Sequence, residues 1–126
     1  MAHAITWFQI PAADMARAKK FYETVCGFEL LSLPEQPAME MWAFPADAEK
    51  GEISGALVCG VGAVPSASGT AVFLNANPDL QAVLDRVEAA GGSIVMPKTV
   101  IPMEGAGVFA MIADSEGNTV GLHAQS

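Results

Sequence analysis

Basic residues are scarce in this chain. Lys and Arg together number 6 of 126 residues, against 14 Asp and Glu, and the formal net charge is −8. Nucleic-acid binding requires a basic surface that neutralises phosphates, so the composition argues against a nucleic-acid partner. Long apolar runs are also missing, because no stretch approaches the roughly 20 residues that a membrane-spanning helix needs. With no basic, apolar leader at the start of the chain either, we expect a cytoplasmic protein.

Cysteine and histidine are equally rare, at two residues each. Cys26 and Cys59 lack the spacing of a metal or redox motif and are predicted to be reduced, semi-buried thiols. Hydrophobic residues make up 52% of the chain and charged residues 16%, which is typical of a globular protein with a sizeable core. The length fits one compact domain.

An internal repeat is the strongest signal in the sequence. Residues 8–31 overlay residues 73–96 at a shift of 65, and the apolar positions repeat at helical spacing. The identical pairs are Phe8 and Phe73, Asp14 and Asp79, Glu23 and Glu88, and Gly27 and Gly92. An Asp suited to an N-cap opens each copy, and a glycine suited to a left-handed C-cap closes it. The pattern predicts helices over residues 15–26 and 80–90.

A second repeat relates the strand that ends each copy. Residues 51–58 overlay residues 117–124 at a shift of 66, which aligns Gly55 with Gly121. The chain is therefore predicted to be α+β, with two tandem βαβββ units in a single domain that covers residues 1–126. Unit one spans 1–60, a small flexible linker spans 61–69, and unit two spans 70–126.

The remaining elements follow from apolar runs and turn residues. Predicted strands cover 3–10, 28–33, 39–44 and 52–59 in unit one, and 70–75, 93–96, 108–113 and 119–123 in unit two. In the third strand, Met39, Met41 and Ala43 alternate with Glu40, Trp42 and Phe44, so the two sets face opposite sides. The long connection 97–107 could cover the mouth of a cavity or be a plain surface loop.

Two motifs resemble those of a known family. The pattern D-M-x-R-A-x-x-F-Y-x-x-x-x-G at residues 14–27 and the pattern D-x-E-G-N-x-x-G-L-H at 114–123 are similar to the vicinal oxygen chelate superfamily. That group holds glyoxalase I, bleomycin-resistance proteins, fosfomycin-resistance proteins and extradiol dioxygenases. The resemblance, which covers the whole chain, implies two curved half-barrel sheets around a cavity. Family members usually pair, and two thin units favour pairing too, so we expect a homodimer.

The resemblance also implies where a divalent metal would bind. Enzymes of the family take one His, Gln or Glu from each of four strands, because these donors suit divalent ions. In this chain the positions fall within 5–7, at Gly55, within 71–73 and at Gly121, and none carries such a donor. The sequence therefore predicts no metal and no other cofactor.

Two titratable residues are candidates for chemistry. His123 lies two residues beyond Gly121 and so shares its face, where it could act as a hydrogen-bonding or acid–base group; a strand-end position near solvent is the alternative. Glu40 could act as a base if burial raised its pKa, or it could point to solvent. His3 is the weaker histidine candidate.

The predicted cavity lining combines aromatic, methionine and glycine positions that would form an adaptable apolar pocket. It consists of Ile5, Trp7, Gly55, Leu57, Met39, Met41, Trp42, Met103 and Gly121. Two functions are compatible with these features. One is a metal-free module that binds a small apolar or cationic molecule. The other is a glyoxalase-like lyase or isomerase, or a dioxygenase, that uses a displaced metal site.

Overall fold

Two four-stranded sheets, each with one helix, make up the structure, a computed structural model that describes residues 3–34 and 38–126. Unit one contains β1 (Trp7–Pro11), α1 (Met15–Cys26), β2 (Leu31–Ser32), β3 (Met39–Ala43), a single 3₁₀ turn (Ala48–Lys50) and β4 (Ser54–Gly60). Unit two contains β5 (Phe73–Asn75), α2 (Leu80–Leu84), β6 (Ser93–Val100), β7 (Val108–Ala113) and β8 (Thr119–Ala124). The predicted α+β class and the two βαβββ units are confirmed.

The strand order is the same in both sheets. It is β1-β4-β3-β2 in sheet one and β5-β8-β7-β6 in sheet two. The first and last strands of each unit pair in parallel, and the other neighbours pair antiparallel. The parallel pair needs a crossover connection, and the helix of each unit lies within that crossover.

Helix α1 has the predicted bounds because both of its ends are chemically marked. Asp14 caps the first turn, where its Oδ1 accepts a hydrogen bond from the Arg17 N–H at 3.1 Å. Gly27 ends the helix in the left-handed region at φ 76°, and its N–H donates to the Glu23 carbonyl. The predicted apolar stripe is buried, and Phe21 extends it.

Helix α2 is shorter than predicted. Its regular part ends at Leu84, and residues 85–91 continue as tighter turns in which the Val87 N–H donates to the Leu84 carbonyl. The left-handed residue is Gly91, at φ 105°, so the prediction that Gly92 is the left-handed cap was wrong. Gly92 lacks a side chain for another reason: a Cβ there would collide with the Phe21 ring and the Ala113 carbonyl.

Strand β6 is longer than predicted and the loop after it is shorter. Pairing with β7 continues past Met96 to Val100, with register shifts on both sides of Met96. Pro97 is tolerated because β6 is an edge strand, where a missing N–H need not break the ladder. The connection to β7 is therefore 101–107. In unit one, by contrast, β1 starts only at Trp7 and β2 shrinks to two residues.

In the structure, equivalent strand residues of the two units are separated by one position fewer than the sequence overlay predicts. The Ala12 N–H donates to the Val58 carbonyl at 2.8 Å, and the equivalent bond in unit two runs from Ala76 to His123 at 2.7 Å. These bonds relate the first strands by 64 positions and the last strands by 65. Unit two has one extra residue between its first strand and its helix cap, an insertion that an ungapped overlay cannot detect.

This offset places the aligned pairs on opposite faces. Phe8 pairs with Gly55 on the side of sheet one that faces α1, since Phe8 packs against Phe44 of the core. Phe73 pairs with Gly121 on the side of sheet two that faces away from α2. The predicted equivalence of Gly55 and Gly121 is therefore wrong in space.

One hydrophobic core joins the two units. It gathers the apolar face of α1, the buried side of α2 and the helix-facing residues of both sheets. A small second cluster, formed by Met41, Ala56 and Val58, lies on the opposite face of sheet one.

The turn before β8 docks on the N-terminus of α1 and fixes the units together. Glu116 Oε1 accepts the Ala13 and Asp14 N–H groups at 2.9 and 2.8 Å, so a carboxylate of unit two caps the helix of unit one. Arg17 Nε donates to Glu116 Oε2 at 2.6 Å. Burial would raise the Glu116 pKa, but these hydrogen bonds, one from Ser115 and the Arg17 charge lower it to about 2.

Candidate functional site

The candidate site lies on the side of sheet two that faces away from α2, which we call the open face. Pairing in register places Phe73, Met111 and Gly121 on this side, followed by Phe109 and His123 one step along the sheet. Their neighbours in sequence point the other way, into the core. Phe73 is 51% exposed on this side.

A recess on the open face brings an imidazole next to two aromatic rings. It has a volume of about 340 Å³ and is lined by Phe73, Ile101, Phe109 and His123. The Phe73 and Phe109 ring centroids lie 6.3 Å apart at 59°, so the rings form a tilted apolar wall. Such a surface suits a flat apolar molecule, and His123 adds one polar contact.

His123 is held in place by the loop that precedes β7. Its Nε2 lies 2.7 Å from the Ala106 carbonyl oxygen. Because a carbonyl only accepts, Nε2 must carry the hydrogen, and in the neutral ring Nδ1 is then the acceptor. The predicted placement of His123 on the same face as Gly121 is confirmed by the register. Its chemical role stays a prediction.

The loop at 101–107 borders the recess. The Ile101 N–H donates to the Gly107 carbonyl at 3.1 Å, which closes the loop at its base. Met103, predicted to line the cavity, is 70% exposed near its tip. The contact from Ala106 to His123 is what joins this loop to β8.

On sheet one, the side that faces away from α1 is more completely covered by its own side chains, and we call it the open face of sheet one. Trp7 is 42% exposed there and Ile5 precedes it, also exposed. Met41 is buried in the small cluster with Ala56 and Val58, and Met39 packs against that cluster. The predicted alternation along β3 is confirmed, because Met39, Met41 and Ala43 share this side.

Four of the predicted site residues lie on the helix side instead. Leu57 is fully buried in the core, and Gly55 is covered by the Phe8 ring. Trp42 lies beneath the Lys19 ammonium, whose Nζ is 4.1 Å from the ring centroid.

Glu40 is the fourth of these residues. It is exposed and accepts a 3.0 Å hydrogen bond from Trp42 Nε1. The burial on which its predicted role as a base depended is absent.

The four positions at which the family resemblance implies metal ligands are residues 5–7, Gly55, residues 71–73 and Gly121, and none offers an imidazole, carboxylate or carboxamide. They also do not share one side, because Gly55 faces α1 whereas Gly121 lies on the open face. The space at both glycines is taken by phenylalanine rings, Phe8 at Gly55 and Phe73 at Gly121, and a Cβ at either would collide with the ring. Within residues 3–34 and 38–126, no three His, Cys, Asp or Glu side chains converge as a metal site would require.

A separate crevice of about 660 Å³ lies between the units on the helix side. Its aromatic wall is Phe8, Phe28 and Phe44, and Leu74 of unit two closes it. Cys26 lies in the wall, where burial raises the pKa of its thiol to about 11 against a small opposing effect of Arg86. The thiol is therefore protonated at neutral pH and chemically quiet.

Of the four residues that line the recess, the sequence points to a role for one, His123. Phe73 is marked by the repeat and by the segment 71–73, but not as part of an aromatic wall, and no pattern marks Ile101 or Phe109 as site residues. One usable signal was present: Phe109 and Met111 alternate along β7, as do Gly121 and His123 along β8. The pairing that brings Phe109 opposite His123 is not encoded in either strand alone.

Two βαβββ units with the same strand order define the class of small glyoxalase-fold proteins. The sequence profile of the Glyoxalase/Bleomycin resistance protein/Dioxygenase superfamily matches residues 4–122. The chain belongs to this superfamily, which confirms the resemblance. No curated protein sequence matches the chain. Among the described residues, no helix is long and apolar enough to cross a membrane.

Solved structures of similar fold extend the comparison. TnmS3, an antibiotic binding protein from Streptomyces sp. CB03234, is 27% identical; the match covers 100% of this chain and 99% of that one, with a TM-score of 0.72. A glyoxalase/bleomycin resistance protein from the same organism is 27% identical over 93% of this chain and 96% of its own, with a TM-score of 0.64. Glyoxalase I from Zea mays is 19% identical, with a TM-score of 0.69; the match covers 97% of this chain but 44% of the maize chain. That likeness shows the fold alone.

Proposed function

We propose that the protein binds a small, flat, apolar molecule on the open face of sheet two and does so without the family's metal. The observation that carries the proposal is the recess, in which Phe73 and Phe109 form an apolar wall beside His123. Apolar surfaces with one or two placed polar groups are typical of small-molecule sites. The similarity to an antibiotic binding protein over the whole chain supports the same class of function.

His123 would orient the ligand. Its Nε2–H is used by Ala106, so the neutral ring offers Nδ1 as an acceptor for a ligand hydroxyl or N–H. A ligand with one donor and a flat apolar body matches these groups.

A fluorescent apolar probe, 8-anilinonaphthalene-1-sulfonate, tests the site. We expect saturable fluorescence enhancement with the wild-type protein and about tenfold weaker binding by Phe109→Ala, because loss of half of the aromatic wall is expected to cost about 1.4 kcal/mol. Phe28→Ala is the matched control, since it removes a phenylalanine from the crevice on the helix side. Equal affinity in wild type and Phe109→Ala, or selective loss in Phe28→Ala, would place the ligand elsewhere.

The metal-free part has its own test. Elemental analysis after dialysis against a weak chelator is expected to find no stoichiometric divalent ion, because glycine, phenylalanine and tryptophan offer no ligand. One tightly held Zn, Ni, Fe or Mn per chain would favour the alternative of a lyase, isomerase or dioxygenase with a displaced site. Loss of that metal in His123→Ala would make His123 a ligand.

We also propose that the protein is a homodimer in which a second copy covers the open faces. Trp7, Phe73 and Met96 are large apolar residues exposed on these faces, and surfaces of this kind mark interaction sites. Light scattering is expected to give twice the 13.1 kDa of one chain. Trp7→Glu together with Phe73→Glu should shift the protein to monomer. A wild-type monomer at tens of micromolar would contradict the proposal.

A further inference from the structure

A groove on the helix side of sheet one, remote from the open face, contains a tryptophan ring that makes a cation–π contact with a lysine. The groove lies between α1 and β3 and has a volume of about 1010 Å³. Trp42 forms its floor, and the Lys19 ammonium lies 4.1 Å above the ring centroid. That distance is within the range in which the ring quadrupole attracts a cation.

The Trp42 indole ring is also held in place by a hydrogen bond. Its Nε1–H donates to Glu40 Oε2 at 3.0 Å, a bond between residues two apart on the same side of β3. This bond engages one oxygen of the Glu40 carboxylate. The Glu29 carboxylate also lines the groove. An aromatic face attracts an organic cation, and carboxylates at the ring edge add favourable negative charge.

The charged side chains around the Trp42 ring favour binding of a cation over an anion or a neutral molecule. Carboxylates of Asp14, Glu23, Glu29 and Glu40 line the groove against the ammonium groups of Lys19 and Lys20. Glu23 is partly engaged, because its Oε2 accepts the Leu30 N–H at 2.9 Å and so holds the wall of the groove. Lys19 is half-buried, and its ammonium ends a flexible four-carbon chain that can swing out into water when another cation takes its place.

We propose that this groove is a second binding site, specific for a small quaternary ammonium cation that stacks on Trp42 in place of Lys19. A primary ammonium is strongly hydrated, so its transfer out of water has a large desolvation free energy. A quaternary ammonium has no N–H to satisfy and a lower cost of desolvation, so it competes successfully for the ring face. Glu40 holds the ring edge and supplies the neighbouring negative charge. The proposal does not depend on the function of the open face.

Choline is the probe, and the side-chain N–H resonances of the two tryptophans are the readout. Trp7→Phe assigns the signals, because Trp7 and Trp42 are the two tryptophans of the chain. We expect choline chloride to shift the Trp42 signal in a saturable way, while sodium chloride at the same ionic strength does not. A response confined to Trp7, or identical responses to the two salts, would overturn the proposal.

Two lysine variants separate stacking from charge. Lys19→Ala and Lys20→Ala each remove one positive charge from the groove, but the ammonium that lies on the ring belongs to Lys19. We expect Lys19→Ala to bind choline roughly two- to fivefold more tightly, the factor that an exposed cation–π contact represents, and Lys20→Ala to change affinity by less. Equal gains in both variants would reduce the effect to general electrostatics and overturn the proposal.

Loss of the ring is the complementary test. Because Trp42→Leu removes the Trp42 resonance, binding is measured here by calorimetric titration with choline chloride. Trp42→Leu should weaken choline binding at least tenfold, whereas Trp7→Leu should leave it unchanged. Retained binding in Trp42→Leu would rule the site out. If Trp42→Leu fails to fold, the comparison of Lys19→Ala with Lys20→Ala still decides the question, because both positions are on the surface of α1.

Discussion

Tyr22 Oη donates a hydrogen bond of 2.6 Å to Asp114 Oδ2, and this buried contact joins the helix of unit one to the last turn of unit two. Asp114 also accepts the Asn118 N–H at 2.9 Å, and Asn118 Nδ2 reaches back to the Pro11 carbonyl at 2.7 Å. The two motifs that carried the family resemblance are thus in direct contact. In this chain their most distinctive side chains hold the units together.

Removing the Asp114 carboxylate should destabilise the fold strongly. Asp114→Ala is expected to lower the free energy of unfolding by about 3 kcal/mol, because the buried Tyr22 hydroxyl and backbone N–H groups lose their acceptor. Burial, followed by the charge of Asp114, holds the pKa of Tyr22 well above its usual value, so Tyr22 stays a donor. Urea unfolding measures the effect. Asp85→Ala is the control, since Asp85 is exposed and should change stability by less than about 0.5 kcal/mol.

The ion pair between Glu116 and Arg17 should make stability depend on pH in acid. The Glu116 pKa in the folded protein, about 2, is below the ordinary value of 4.5. Its contribution is therefore fully present above pH 4.5 and lost as the pH falls toward 2. We expect a loss of about 1 kcal/mol, a modest figure because Arg17 is half exposed and solvent screens the pair. Urea midpoints of wild type and Glu116→Gln should converge at low pH; a constant gap would contradict this assignment.

The helix caps should contribute measurable stability. Asp14→Ala and Asp79→Ala each lose a cap and should cost about 1 kcal/mol. Gly27→Val should cost more, since it forces a β-branched side chain into the left-handed region at φ 76°. Thermal melts provide the measurement. Unchanged melting temperatures in all three variants would mean that the caps do not stabilise the helix ends.

Cys26 should react slowly with thiol reagents while the protein is folded. Its pKa of about 11, compared with 9.0 for a free thiol, leaves roughly 100-fold less thiolate at pH 8. In a Cys59→Ser background, iodoacetamide should therefore alkylate Cys26 at least 100-fold faster in 8 M urea than in buffer, because unfolding also removes steric protection. Similar rates in the two conditions would show that the native thiol is not held in a buried environment.

The sequence predicted the elements better than it predicted their faces. Alternation along β3 correctly separated Met41 from Trp42, since side-chain direction reverses at every residue of a strand. Alternation does not specify which set faces α1. Trp42, predicted to line the cavity, and Glu40, a candidate base if buried, both lie on the helix side, and Glu40 is exposed there. The extra residue before Asp79 shifts the first strand of unit two relative to its helix, so Phe8 and Phe73 lie on opposite sides of their sheets. Gly55 and Gly121 lie on opposite sides for a different reason, because the shift of 66 that aligns them in sequence is one residue larger than the shift of 65 that relates the last strands in the structure.

Local chemistry in the sequence determined the two-unit plan and the bounds of α1, because helical spacing, the Asp14 cap and the left-handed Gly27 act within a few residues of each other. The lack of imidazole, carboxylate and carboxamide groups at the positions that the family resemblance implies is likewise a property of the sequence. Only the tertiary structure decided that Phe109 lies opposite His123, that Ala106 holds the imidazole, and that Lys19 covers Trp42. These contacts join residues on different strands or loops, and their geometry depends on strand register and on packing between elements, which no single stretch of sequence specifies.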